Sequence, residues 1–207
     1  MIVEGLLTTV DAQGRVNVAP MGPVVPPDWA AVVLRPFEGS QTLENLRATG
    51  RGVFHVVDDA ELLARCAIGR RHPPPPMQWH PQVQGWVLQQ ACRWYGLEVE
   101  RWGGNPPRLE AHARIVARGR LRDFVGWNRA RHAVLEAAIL ATRTAWLSPQ
   151  ELVEAFNFLA PLVYKTGDVA EHRAFALLVQ HVEQHLGQSI LQEEHARKIL
   201  AGSRGHD

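Results

Sequence analysis

The sequence predicts a mainly β domain over residues 1–121 followed by a helical subdomain over residues 122–207. Apolar residues in the first part come in short runs cut by glycine and proline. One stretch, Leu109, Ala111, Ala113, Ile115 and Ala117, alternates with Glu110, His112, Arg114 and Arg118 and reads as a half-buried antiparallel strand. After residue 121 the apolar period changes to that of a helix. A chain of 207 residues, 46% hydrophobic, is long enough for one large domain or a domain with a substantial appendage.

The elements follow in order. Leu6–Val10 and Arg15–Ala19 flank the turn formers Asp11-Ala12-Gln13-Gly14, which predicts a hairpin with Val16 and Val18 on one face and Asn17 and Ala19 on the other. Pro23, Pro26 and Pro27 interrupt pairing, and Trp29–Leu34 is a third apolar run, stopped by Pro36. Ser40 is placed to cap a short helix carrying Leu43 and Leu46 on one side. Gly52–Val57 is the next strand, and Asp58 with Glu61 has the spacing of a capping box for a helix running toward Ile68. Residues 72–81 hold five prolines and two histidines and are expected to form an irregular surface loop. Trp94–Trp102 supplies a strand, and Gly103–Pro107 a turn before the alternating stretch.

Beyond residue 121, Asn128–Thr144 carries Val134, Leu135, Ala138 and Ile139 at helical spacing. Ser148-Pro149-Gln150-Glu151 combines an N-cap, a proline at the first helical position and a capping-box glutamate. The helix it opens is expected to bury Leu152, Val153, Phe156 and Leu159 and to end near Gly167. Asp168 and Glu171 repeat the device for a helix with Phe175, Leu178 and Val182, ended by Gly187, and a shorter amphipathic helix follows.

A formal net charge of +1 provides no global field for nucleic acid or anionic membrane. Cys66 and Cys92 have neither disulfide-framework nor zinc-site spacing, so cytoplasmic residence is expected. The N-terminus lacks a basic region and an apolar core, so no signal peptide is expected, and no apolar run approaches membrane-spanning length.

Arg35-Pro36-Phe37-Glu38-Gly39-Ser40-Gln41-Thr42-Leu43-Glu44-Asn45-Leu46 carries the most chemistry. It sets a glycine, two hydroxyls, two amides and a guanidinium where a strand ends and a helix begins. Free N–H groups at a helix start, with hydroxyls and an arginine nearby, suit a phosphate. The same residues also suit an ordinary capped helix with a surface ion pair at Arg35. Both readings stand at this point.

Taken together, Asn17-Val18-Ala19-Pro20-Met21-Gly22, Arg35-Pro36-Phe37, Gly39–Thr42 through Asn45-Leu46, Asp58-Asp59, Trp127–Ala130 and Lys165-Thr166-Gly167 with Glu171 resemble the DUF447 family. That family belongs with the FMN-binding split-barrel flavoproteins related to flavin reductases. The resemblance implies a six-stranded antiparallel FMN-binding split barrel with a C-terminal helical segment, a homodimer, and FMN near the subunit interface. By position it implies that Ser40, Gln41 and Thr42 meet the phosphate with Arg35 as charge partner. Asn45 would support the loop or the ribityl chain, and Pro20, Met21 and Gly22 would pass beside the isoalloxazine through their backbone. His55 stands where the family pattern would place asparagine, and the proline-rich stretch 72–81 is a second departure.

Other residues have bland readings beside sharper ones. His181 and His185 lie four apart on a helix, but a third and fourth metal ligand and a His-Glu-x-x-His pattern are missing, so a solvated face is expected and no metal. His72 and His80 are expected to be loop residues rather than the lining of an entrance. Cys66 reads as a small buried hydrophobe. Trp79, Trp86, Trp94 and Trp102 suit barrel packing or a dimer interface as well as ring stacking. Arg114, Arg118, Arg120 and Arg122 read as a solvated strip. With no nucleophile elbow, P-loop or dinucleotide fingerprint, an enzyme built on this chain would take its chemistry from the flavin. An oxidoreductase acting on an unidentified small substrate is the leading expectation. The alternative is a non-catalytic flavin-binding or partner-binding protein.

Overall fold

The structure, a computed structural model, describes residues 1–70, 73–106 and 108–204. The chain divides into two compact units, Met1–Asp58 with Pro73–Phe124, and Asp59–His72 with Val125–Asp207. The expected linear cut at residue 121 therefore leaves out one exchange, because the segment from Asp59 clusters with the helical unit.

The first unit is a six-stranded antiparallel sheet in the order β2-β1-β4-β7-β8-β3, with α1 and a separate β5–β6 hairpin. Strands β1 (Gly5–Val10) and β2 (Val16–Met21) form the expected hairpin. Its turn is held by Asp11, whose Oδ1 accepts from the backbone of Gln13 (2.9 Å) and Arg15 (2.8 Å). Pro20 is tolerated opposite Leu6 because β2 is an edge strand. The third strand, β3 (Ala31–Leu34), is shorter than the apolar run predicts. Trp29 lies outside it at φ 52°, with its ring stacked on Tyr95 at 4.2 Å. The sheet is not closed by a ladder. Val24 spans the edges through single bridges, to Ile2 and to Val33.

Helix α1 (Gln41–Thr49) leads through the left-handed Gly50 into β4 (Arg51–Val56). Strand alternation on β4 then separates two apolar layers. Phe54 points into the main core with Leu7, Leu34, Leu46, Tyr95 and Leu97. Val53 points the other way, to Val83, Val87 and Trp94. That second layer lies under β5 (Met77–His80) and β6 (Gly85–Leu88), paired from Met77↔Leu88 to His80↔Gly85. The expectation of irregular structure through 72–81 is thus corrected for residues 77–80. The proline run stops at Pro76 and the next proline is Pro81, so Met77–His80 keep the N–H groups a ladder needs. His72 lies outside the described residues. Long strands β7 (Arg93–Asn105) and β8 (Arg108–Arg120) complete the sheet, with register shifts at Gly96/Leu97 and Val99/Arg101. The strands run further into the expected 103–107 turn than its glycines suggest, and Pro107 lies outside the described residues.

In the second unit, α2 (Ala60–Ala67), α3 (Arg129–Ala141), α4 (Pro149–Thr166), α5 (Val169–Leu186) and α6 (Glu193–Ser203) pack around Phe156, Phe175, Leu152 and Leu178. Both expected capping boxes, Ser148/Glu151 and Asp168/Glu171, are formed. The α2 cap is a correction: Asp59, not Asp58, accepts from Leu62 N at 2.9 Å. Asp58 instead receives the Arg122 guanidinium, which also donates to Gln90 O. Beside that pair, burial and then the Asp58 carboxylate push the Cys92 thiol up, so it stays protonated. Among the described residues no helix is long and apolar enough to cross a membrane.

His55 is wholly buried and fully partnered. Its Nε2 accepts from Leu88 N–H at 3.1 Å, so Nδ1 carries the proton and faces Leu6 O at 3.3 Å. Burial pulls its pKa from 6.5 down to about 3. The unfolded chain therefore takes up a proton below pH 6.5 that the folded chain refuses until about pH 3. The contribution is fully present above 6.5 and lost as pH falls through that window, at about 1.4 kcal/mol per pH unit. We expect urea midpoints to fall correspondingly from about pH 6 to about pH 4. A His55→Gln variant, about 1–3 kcal/mol weaker at neutral pH, should show a shallower slope. Equal slopes would place the acid sensitivity elsewhere.

Candidate functional site

The start of α1 is a built structure rather than a bare turn. Ser40 sits at φ −79°, ψ 146°, and its Oγ accepts from Leu43 N at 3.2 Å while donating to Phe37 O at 2.7 Å. Both of its hydroxyl functions are used, so donation to a ligand would require release of Phe37 O. The N–H groups of Gln41 and Thr42, at the first two helical positions, have no intrahelical acceptor and lie at the positive end of the helix dipole.

Beneath that end four buried polar side chains tie α1 to the β1–β2 hairpin. Thr9 and Asn17 are direct cross-strand partners and so share a face. Asn17 Nδ2 donates to Thr42 Oγ1 at 3.1 Å, and Asn45 Nδ2 donates to Thr9 Oγ1 at 3.0 Å. Gln41 Nε2 extends the second chain by donating to Asn45 Oδ1 at 2.8 Å. Exposure falls to 2% at Thr9, 4% at Asn17, 5% at Thr42 and 1% at Asn45. Among the described residues Asn17 Oδ1 is buried without a partner, so the network keeps an acceptor to spare. Turning the amide over would exchange an orphan acceptor for an orphan donor without filling the need. A buried amide with spare hydrogen-bonding capacity beside a helix N-terminus is the feature that fits a hydroxylated, phosphorylated ligand.

Of the residues expected at the site, Ser40, Gln41, Thr42 and Asn45 are brought together. Ser40 and Gln41 lie toward the surface, Thr42 and Asn45 in the interior. Arg35 is exposed and turned to Glu110, with Nη2 and Nε at 2.9 and 3.0 Å from one carboxylate oxygen. Pro20 is half-buried, and Met21 packs its side chain into the main core, leaving its backbone as what it can offer a ligand. A Cβ at Gly22 would meet only the ends of side chains, the Glu4 carboxylate oxygens at 2.8 Å and Ile2 Cγ2 at 2.9 Å. Thr9 and Asn17 were not singled out from the sequence as site residues. Asn17 carried a signal, a polar side chain alone on the strand face opposite Val16 and Val18. Thr9 carried none, since threonine is common in strands.

The other candidates are also placed. Trp79, Trp86 and Trp94 fall into two ring pairs: Trp79 lies edge-on to its cross-strand partner Trp86 at 5.7 Å, and on the other face of the β5–β6 hairpin His80 lies against Trp94 at 4.7 Å. Trp102 stands apart, under the Arg47 guanidinium at 5.9 Å. His55 is committed to Leu88 and Leu6 as described, which accounts for a histidine at that position. Burial, then Arg70 and His185, holds His181 below the usual histidine range. Among the described residues no group of three or more His, Cys, Asp or Glu side chains could hold a metal.

Family models match nearly the whole chain: the N-terminal domain of "protein of unknown function (DUF447)" over residues 3–122, and the DUF447 model over 128–180. The chain belongs to the DUF447 family. Among solved structures it is similar to an FMN-bound DUF447 protein from Methanosarcina mazei, with TM-score 0.76 and 25% identity over 87% of this chain and 94% of that one. It also aligns with the styrene monooxygenase flavin reductase of Pseudomonas putida S12, at TM-score 0.49 and 19% identity over 58% of this chain and 82% of that one. An FMN-binding protein from Thermus thermophilus aligns at TM-score 0.49 and 14% identity, over 58% and 72%. At those scores the last two bear on no residue of this chain. No curated protein matches it.

The buried network should be measurable by itself. Asn45→Ala removes both of its partners' hydrogen bonds and strands Thr9 Oγ1, so it is expected to cost about 1–3 kcal/mol. Ser40→Ala should cost about 1 kcal/mol as a lost cap. Chemical denaturation checks both, and an Asn45→Ala loss smaller than that of Ser40→Ala would show that the network does not hold α1.

Proposed function

We propose that this DUF447 protein binds FMN, with the phosphate at the start of α1, and acts as an oxidoreductase on a small substrate. The observation that carries the cofactor is the FMN-bound family member, which aligns over 87% of the chain. The site supports it with the free N–H groups of Gln41 and Thr42 for the phosphate and the unpartnered Asn17 Oδ1 as an acceptor for a ligand hydroxyl. A bound flavin supplies one- or two-electron transfer, and the chain's own groups supply binding and position.

In this reading Gln41 and Thr42 N–H donate to phosphate oxygens, and Thr42 is held in place by Asn17. Ser40 fixes the helix start and can turn its hydroxyl toward the phosphate by giving up Phe37 O. Arg35 contributes charge only if it swings from Glu110, so it is the weakest member of the set. The backbone of Pro20–Gly22 flanks the ring. A homodimer belongs to the same reading, and the large exposed side chains Phe37, Trp146 and Phe158 are consistent with a further interface.

The purified protein should be yellow, or become so with added FMN, with a bound-flavin spectrum in the visible range. A colourless protein that takes up no FMN overturns the reading. The double Ser40→Ala, Thr42→Ala variant should keep its fold by circular dichroism and bind FMN at least about tenfold more weakly. Unchanged affinity would refute the phosphate site while leaving flavin binding intact. Reduction of bound FMN by a nicotinamide nucleotide under anaerobic conditions would support the oxidoreductase. Failure with every donor would favour a flavin-binding protein without turnover. Sedimentation velocity tests the dimer.

A further inference from the structure

On the face of β4 turned away from α1, an open cleft of about 220 Å³ lies between the tip of the β5–β6 hairpin and strands β7 and β8. Arg51, Gln82, Gln84, Glu98 and Arg114 line it, with Val83 and Val116 as its apolar side. Sheet register explains the charged row. Arg51 is the cross-strand partner of Glu98, and Glu98 of Arg114, so a carboxylate stands between two arginines.

That carboxylate is not shared. Glu98 Oε2 receives Arg114 Nη2 at 2.5 Å, and Glu100 also approaches Arg114, at 3.5 Å. Two acids converge on Arg114, and the Arg51 guanidinium makes no ion pair or hydrogen bond among the described residues. The side-chain amides of Gln82 and Gln84 are also without partners among the described residues. Both stand on the hairpin tip, where Gln84 adopts φ 45°, a conformation costly for a residue other than glycine. Val116 is the extra residue at the β7–β8 register shift, between Ala117 opposite Gly96 and Ile115 opposite Leu97.

We infer that this cleft is a second small-molecule site, for a small organic carboxylate whose acid group meets Arg51 and whose body lies against the half-buried Val116 and the Gln82 and Gln84 side chains, Val83 being buried in the layer below. A guanidinium fork matches a carboxylate in two contacts, and two amide donors can complete its coordination. The volume lies below that of ordinary cofactor pockets, so a single ring or short acid fits and a dinucleotide does not. The site is independent of the flavin reading. Arg51 and Val53 project from one face of β4, while Gly52 and Phe54 face the core that α1 joins.

Benzoate titrated into the full-length protein, followed by nitrogen–proton correlation spectra, tests the inference. The Arg51 Nε–H signal and the Gln82 and Gln84 side-chain amides should shift together and saturate by roughly 10 mM, the millimolar range of a weak fragment. Neutral benzamide should leave the Arg51 signal unmoved. Arg51→Met, which keeps the apolar stem, should weaken benzoate at least about tenfold. Should that variant lose its dispersed spectrum, Arg51→Lys and Gln84→Ala take its place, each expected to weaken binding about threefold. The inference is overturned by unsaturable shifts, by an equal response to benzamide, or by unchanged affinity in folded Arg51 variants. FMN-free and FMN-loaded protein should give the same result, so a failure here leaves the cofactor reading standing.

Discussion

Two hydrogen bonds have to form out of water before α1 can lie on the β1–β2 hairpin: Asn17 to Thr42, and Asn45 to Thr9. Four polar side chains buried on one face would each be costly without a partner, so they pair only if hairpin register and helix orientation are both correct. A one-residue slip of β2 would carry Asn17 to the opposite face and replace it with a valine. The network therefore does more than add stability. It fixes where the helix starts, and with that where two backbone N–H groups point.

Strand β4 imposes the second constraint. Its alternation sends Phe54 into the main core and Val53 and His55 to the layer beneath the β5–β6 hairpin. His55 joins three segments without carrying charge, because burial denies it the proton that solvent would supply. Close-packed glycines serve the same layer. A Cβ on Gly119 would stand 2.4 Å from Trp94 Nε1, and one on Gly96 2.1 Å from Val83 Cγ1. Trp94 is in this sense a packing solution, its bulk matched to the side chain that Gly119 lacks across the strand pair.

How far the fold was legible follows from the range of each signal. Capping boxes at Ser148 and Asp168 and the hairpin turn at Asp11 involve residues two to four apart, so the chain nearby suffices to read them. Asp58 and Asp59 show the limit of that range. Both could cap α2, and the choice went to Asp59 because Arg122, 64 residues away, claims Asp58. Trp29 looked like the start of a strand but is taken out of it by Tyr95. Met77–His80 looked like loop because of the prolines before it, and became a strand because a partner run, Gly85–Leu88, was there to pair.

The same division holds for the site. The sequence by itself determined the family, the capped start of α1 and the residue types gathered there, since these depend on local spacing and on a motif spread along the chain. Tertiary structure decided which of those side chains are free. It committed Arg35 to Glu110, drew Asn45 and Thr42 inward, and brought Thr9 and Asn17 beneath them. Among the described residues it also left Arg51 without a counter-ion while giving Arg114 two. Hydrogen bonds and ion pairs are competed for by every group that folding brings within reach, and that competition is settled by long-range packing, which no local pattern encodes.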